Sequence, residues 1–251
     1  MSSANTYSRF AKFYDMYVSD FAMDLPLYRH FCNRSHTILE VGCGSGRVLK
    51  SLAESGCKVL GVDISDEMLA IANNKLHQYL SSGIIRLANF DFSNHWLNEN
   101  FDRALVTFYT INYLLDETHC ENFIGNIQKS MDQNGMLIMD LFYPRPLLKP
   151  ESPGVWYEKE VQAGDLHVRL RDKRIMIGNI EERIQEYITE DSHETIVSKR
   201  RFYTKHDILK ILDKSGFTRI EFTDDYDISQ FHPYKDLETV TSSFVVKAVK
   251  Q

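Results

Sequence analysis

The chain has 251 residues, 43% of them hydrophobic and 25% charged, with a formal net charge of −6. That size suits one large globular domain, or one domain with an insertion. The acidic balance argues against a broad nucleic-acid face, which needs clustered positive charge, and no run of roughly 18 apolar residues suggests a membrane span.

The opening stretch, MSSANTYSRFAKFYD, lacks the apolar core of a secretory signal. Cys32, Cys43, Cys57 and Cys120 are scattered without a C-x-x-C pair. A disulfide framework or zinc site is therefore not expected, and a reducing cytoplasm is the expected compartment. In residues 1–36, Phe10, Phe13, Tyr14, Tyr17 and Phe21 fall at helical spacing and predict a helix packed on the core.

Thr37–Val41 is a short apolar run stopped by Gly42, the first predicted strand. Gly42, Gly44 and Gly46 then alternate, a pattern that lets the backbone turn sharply and a ligand lie against it. Val48, Leu49, Leu52 and Ala53 recur at helical spacing, and Lys58–Val62 is the next strand. This βαβ unit puts Asp63 at a strand's carboxyl end, where open α/β sheets bind ligands. Ser65 caps a helix running through Met68, Leu69, Ile71, Ala72, Leu76 and Tyr79. Ile84–Asn89 and Arg103–Phe108 are strands, Thr118–Met131 a helix, and Asn134–Gly135 a turn into a fifth strand, Met136–Leu141.

Pro144, Pro146, Pro150 and Pro153 mark a change of style. Beyond them His167–Arg171, Ile184–Ile188 and Thr195–Lys199 read as strands around a Gly178–Asn179 turn. They predict a small antiparallel sheet inserted over 146–200. The run Arg169–Leu170–Arg171–Asp172–Lys173–Arg174 reads as a solvated face, with binding of an anionic substrate as the alternative. Thr204 caps a helix containing Ile208, Leu209, Ile211 and Leu212. Phe217–Phe222 and Ser243–Lys247 form a last antiparallel pair.

The glycine turn decides between ligands. A dinucleotide fingerprint, G-x-G-x-x-G, needs a third glycine where this chain has Arg47. The spacing Glu40–Val41–Gly42–Cys43–Gly44–Ser45–Gly46, with Asp63 and then Ile64–Ser65–Asp66–Glu67–Met68, instead resembles the class I methyltransferases that use S-adenosyl-L-methionine. The segment Tyr14–Asp15–Met16–Tyr17 resembles the opening of their small-molecule N-methyltransferases of the glycine and sugar-amine type. The resemblance implies a Rossmann-like α/β fold: a seven-stranded, mostly parallel sheet with helices on both faces and a C-terminal antiparallel strand, plus the inserted sheet. It divides the chain into a helical lid (1–36), a core (37–145 and 201–251) and the insertion (146–200).

The same resemblance distributes roles. Asp63 accepts hydrogen bonds from the ribose diol, and the glycine turn supplies N–H groups and clearance for the methionine part. Glu40 contacts the ammonium end or braces the turn. Asp91, with Phe92 after it, meets the adenine; Asn89–Phe90 is the alternative register. Gly42, Gly44, Gly46, Ile64, Met68 and Thr107 complete the cofactor side. Tyr14 lies near the sulfonium, and Tyr7 is a weaker candidate from the same lid. Tyr109, Asn112 and Tyr113 are the candidates facing the acceptor.

The implied chemistry is in-line methyl transfer, catalysed mainly by positioning and leaving S-adenosyl-L-homocysteine. No metal-ligand cluster is evident. An alcohol or carbon acid would need a positioned base; none is evident, which favours an amine of a small polar metabolite. The other readings are an O- or C-methyltransferase and a binding protein without turnover. No nucleic-acid or membrane partner is expected. The inserted sheet either covers the site or builds a homodimer.

Overall fold

The computed structural model describes residues 11, 13–14, 18, 21–143, 154–163, 166–235 and 243–251. Tyr7, Phe10, Asp15, Tyr17 and the four prolines between 144 and 153 lie outside the described residues. Among those described, no helix is long and apolar enough to cross a membrane.

The main sheet comprises β1 (Thr37–Val41), β2 (Lys58–Asp63), β3 (Ile85–Asn89), β4 (Phe101–Val106), β5 (Met131–Phe142), β10 (Phe217–Asp224), β11 (His232–Pro233) and β12 (Ser243–Lys250). The second contains β6 (Trp156–Ala163), β7 (Leu166–Ile177), β8 (Ile180–Ile188) and β9 (His193–Arg201). The main order is β11-β10-β12-β5-β4-β1-β2-β3. Strands β1 to β5 pair in parallel, and β12 runs antiparallel between β5 and β10. The sheet thus has eight strands rather than seven, because the two-residue β11 adds an edge beyond β10. Chain order reverses at β1, flanked by β2 and β4, and that reversal opens the ligand crevice of such sheets.

Helices cover both faces. Leu27, Val48, Leu49, Leu52 and Ala72 pack on one side. Phe123, Ile124, Ile127, Ile208 and Leu212 pack on the other. The Lys205–Lys214 helix begins with a capping box: Thr204 Oγ1 accepts from the Asp207 N–H at 3.1 Å, and Asp207 accepts from the Thr204 N–H at 2.9 Å. Ser65 likewise accepts from the Met68 N–H at 3.2 Å.

Several boundaries differ from expectation; β4 ends at Val106 rather than Phe108, and the helix before β5 ends at Lys129 rather than Met131. The helix expected to run from Met68 to Tyr79 breaks at Leu76, giving Asp66–Lys75 and His77–Ser81. Leu76 is fully buried there, against Gly46. The expected Asn134–Gly135 turn lies inside β5. Phe101 already pairs with Met131, and the register shifts before Arg103 meets Met136, so Asn134 (φ +63°) sits in an irregularity of the strand. The insertion has four strands rather than three, since Trp156–Ala163 pairs with β7 in full register. Phe13, from the N-terminal segment, stacks on Tyr187 of β8 with ring centroids 4.2 Å apart.

Candidate active site

A cavity of about 500 Å³ opens at the carboxyl ends of β1, β2 and β4. Gly42, Gly44, Asp63, Ile64, Met68, Asp91, Phe92 and Thr107 line it, as do Tyr14, Tyr109 and Tyr113. The inserted sheet forms its far wall through Arg174, Arg183, Gln185, Ile196, Ser198 and Arg200. The insertion therefore lines one side of the crevice.

Strand β2 delivers Asp63 to the rim, where one oxygen accepts from the Gly44 N–H at 2.8 Å and the other from the Ser65 N–H at 2.9 Å. Burial raises its pKa, and these backbone donors oppose the rise. Asp63 thus fixes the glycine turn as well as facing the cavity. This corrects one expectation. The N–H groups of Gly42 and Cys43 donate to the Val62 carbonyl, that of Gly46 to the Cys43 carbonyl, and that of Gly44 to Asp63. The turn offers a ligand clearance more than donors.

The glycines also divide. A Cβ on Gly44 would sit 3.6 Å from the Tyr14 hydroxyl, inside the cavity, whereas one on Gly46 would sit 2.5 Å from Leu76 Cδ1. Both have positive φ, +53° and +84°. Gly46 does not line the cavity; it closes helix packing. Alanine at either position carries backbone strain of about 1–2 kcal/mol. Gly46→Ala is accordingly expected to lower the melting temperature. Gly44→Ala adds a methyl against the ligand and should weaken S-adenosylhomocysteine binding disproportionately, as calorimetry of the two variants would show.

Glu40 is also absent from the lining. It is 1% exposed, accepts from Thr107 Oγ1 at 2.8 Å, and leaves Oε2 buried without a hydrogen-bond partner. Burial raises its pKa to about 8. A carboxyl with a raised folded pKa stabilises the fold fully below its unfolded value, and this contribution is lost as pH rises through about 8. Glu40→Gln should therefore gain melting temperature relative to the parent between about pH 5 and about pH 9. A constant difference across that range would contradict the assignment.

Asp91 lines the cavity in an Asx turn, accepting from the Ser93 N–H at 2.8 Å and Asn94 Nδ2 at 2.7 Å. Asn89 instead donates to Asp66 at 2.6 Å and is absent from the lining, whereas Phe90, Asp91 and Phe92 all line the cavity. After β4, Phe108 and Tyr109 adopt positive φ, +51° and +66°, and both line the cavity. Two adjacent bulky residues in that region mark strain held by the surrounding structure. The Tyr109 and Tyr226 hydroxyls lie 3.4 Å apart, and Tyr226 donates to buried Asp140 at 2.7 Å. Tyr28 donates to the other Asp140 oxygen at 2.8 Å. Burial lifts the Asp140 pKa to about 6 and that of Tyr109 to about 12.

Asn112 departs from its expected role. It is fully buried, and its amide donates to the carbonyls of Phe142 (3.0 Å) and Arg201 (2.8 Å) while accepting from the Phe142 N–H (2.9 Å). It fastens the Thr110–Tyr113 turn to the ends of β5 and β9 and does not line the cavity. Of the wall residues on β7 to β9, Arg174 belongs to the basic run for which anion binding was the alternative reading, while Arg183, Gln185, Ile196, Ser198 and Arg200 were not singled out. Their signal was alternation: the basic run splits by period two, with Arg171 bonded to Glu158 and Glu186, while Arg174 lines the cavity.

Comparison with known proteins agrees with this geometry. Residues 38–135 match the family described as "Methyltransferase domain". A Geobacillus sp. (strain WCH70) protein, whose name is no more specific than methyltransferase, is 28% identical over 149 residues, 54% of this chain and 57% of that one. The chain matches about half the length of such curated relatives. A solved S-adenosylmethionine-dependent methyltransferase from Clostridium acetobutylicum ATCC 824 superposes with a TM-score of 0.77 at 20% identity, covering 97% of this chain and 98% of that one. A sugar N-methyltransferase from Streptoalloteichus sp ATCC 53650 gives a TM-score of 0.73 at 19% identity, covering 95% and 91%. At these identities the structural likenesses show a shared fold.

Proposed function

We propose, from the match of residues 38–135 to a methyltransferase domain and the fold shared with a solved S-adenosylmethionine-dependent methyltransferase, that the chain is an S-adenosylmethionine-dependent methyltransferase and methylates a nitrogen of a small polar metabolite. The observation that carries this reading is the cavity, which joins the Asp63 crevice to the inner face of the inserted sheet. It is sized for a cofactor and a small acceptor, not for a polymer lying across an open face.

The residues present fit the cofactor. Asp63 and Asp91 offer carboxylate oxygens at the carboxyl ends of β2 and β3, and Gly44 leaves the space a Cβ would fill. Glu40 lies behind the turn, outside the cavity lining, with Oε2 buried and without a hydrogen-bond partner. When bound, S-adenosylmethionine supplies an electrophilic methyl group on a sulfonium. The protein's part is to hold the acceptor and exclude water, and positioning of this kind supplies about 7–11 kcal/mol in ideal cases. Tyr14 and Tyr109, kept neutral by burial, offer hydroxyls that orient an amine lone pair. The insertion and Phe21 wall the cavity on the side away from β2 and limit the access of solvent.

Target-atom choice follows from the lining. Among the described residues the wall opposite Asp63 presents guanidiniums, an amide and a hydroxyl, none of them a general base at neutral pH. A neutral amine needs none. Two solved neighbours named as sugar and glycopeptide N-methyltransferases support the same preference. One observation favours a hydroxyl acceptor as a second reading: the path from Tyr109 through Tyr226 to Asp140 could take up its proton.

The trial is methyl transfer from labelled S-adenosylmethionine to paired amines and alcohols, with the parent and Tyr226→Phe. Label on amines, with Tyr226→Phe retaining activity within about threefold, is expected. Label on alcohols alone, abolished by Tyr226→Phe, would establish the second reading instead.

A further inference from the structure

We infer that the acceptor carries an oxyanion, a carboxylate or a phosphate, which seats on Arg174, Arg183 and Arg200; this rests on the methyltransferase reading of the same cavity. The three side chains come from three adjacent strands of the insertion and all line the cavity.

Register makes the cluster. Arg174 on β7 stands directly opposite Arg183 on β8, and Arg183 stands opposite Ser198 on β9. Arg200 is two positions further along β9 and opposite Glu181. Like charges directly opposite on one face destabilise a sheet, so this pairing costs stability unless an anion lies between. Two protein carboxylates offset part of it. Asp172 accepts from Arg183 Nε at 2.8 Å and Nη2 at 2.7 Å, and from Arg174 Nη2 at 3.3 Å. Glu181 accepts from Nε and Nη2 of Arg200, and its other oxygen lies 3.8 Å from Arg174 Nη1 without a hydrogen bond.

Among the described residues, three guanidiniums thus meet two carboxylates, an excess of one positive charge. Asp172 and Glu181 do not line the cavity, whereas all three arginines do. The surplus therefore faces the ligand. Arg200 lies 4.8 Å from the Phe142 ring centroid, and that ring is 5.4 Å from Tyr109. The basic cluster consequently stands beside the loop after β4, while the cavity's own carboxylates, Asp63 and Asp91, belong to β2 and β3. A dipolar acceptor is oriented by this field, its anionic end toward the insertion. Guanidiniums match carboxylate and phosphate oxygens through paired N–H donors.

Inorganic phosphate and acetate are the two probes, titrated by calorimetry into the protein saturated with S-adenosylhomocysteine. Saturable binding of at least one is expected, and which one binds tighter separates the two sources. Arg174→Gln removes the charge least engaged by protein carboxylates and should weaken the tighter probe roughly tenfold. The double variant Arg183→Gln/Asp172→Asn removes a pair without stranding a charge and should weaken it similarly. Melting temperature and S-adenosylhomocysteine affinity, measured on each variant, report folding and the crevice separately. No saturable binding of either probe, or equal binding by parent and both variants, overturns the anion site. Anion binding that needs the arginines in a protein that ignores S-adenosylhomocysteine would uphold the site while sinking the methyltransferase reading.

Discussion

Asp63→Ala is expected to weaken S-adenosylhomocysteine binding by roughly ten- to a hundredfold, the equivalent of a charged hydrogen bond worth about 1.5–3 kcal/mol. The carboxylate faces the cavity and also accepts from Gly44 and Ser65. Alanine therefore removes the ligand's acceptor and strands two N–H groups that set the shape of the turn. Asp63→Asn keeps the volume and one acceptor oxygen, but turns an NH₂ group toward one of those donors. Its loss should be intermediate. Calorimetric titration of both variants, beside their melting temperatures, separates lost contact from lost shape. Unchanged affinity in the alanine variant would remove the central support for the cofactor assignment.

The crevice was legible because it is local. Gly42, Gly44 and Asp63 sit on one βαβ unit, and apolar runs with helical spacing between them specify that unit almost alone. Asp91 was legible in the same way, placed by the end of β3. Other roles depended on tertiary packing. Nothing local distinguishes Gly44, which faces the cavity, from Gly46, which faces Leu76. Asn112 stands in the right loop, but its amide meets carbonyls from residues 142 and 201, far along the chain. The insertion's wall was hidden because its polar positions interleave with an outer face of equal charge. Alternation puts Arg174 and Arg171 on opposite faces, but only the packed sheet tells which face meets the cavity.

Arg47→Ala should lower stability by about 3–5 kcal/mol, the usual effect of leaving one member of a buried ion pair alone. For a chain of this size that is a fall in melting temperature of about 6–20 °C. Arg47 replaces the glycine a dinucleotide fold would want, and its contacts explain what it does instead. Its Nη1 and Nη2 donate to the two oxygens of Asp24 at 2.7 and 2.5 Å, and Nη1 also donates to the Phe21 carbonyl at 3.1 Å. Asp24 is fully buried, so it has no water to fall back on. The guanidinium lies 5.4 Å from the ring centroids of both Phe21 and Phe108, two cavity-lining residues. Arg47 thus fastens the segment before the Leu25–Phe31 helix to the first turn after the glycines, next to Tyr14 and the strained loop after β4. Losing it should also weaken S-adenosylhomocysteine binding, although Arg47 itself does not line the cavity. The double variant Arg47→Met/Asp24→Asn removes both charges and should recover much of the lost melting temperature, because the cost lies in the stranded carboxylate. If the double variant melts as low as Arg47→Ala, the pair is not what holds this segment, and the cation's contacts with Phe21 and Phe108 must carry the effect.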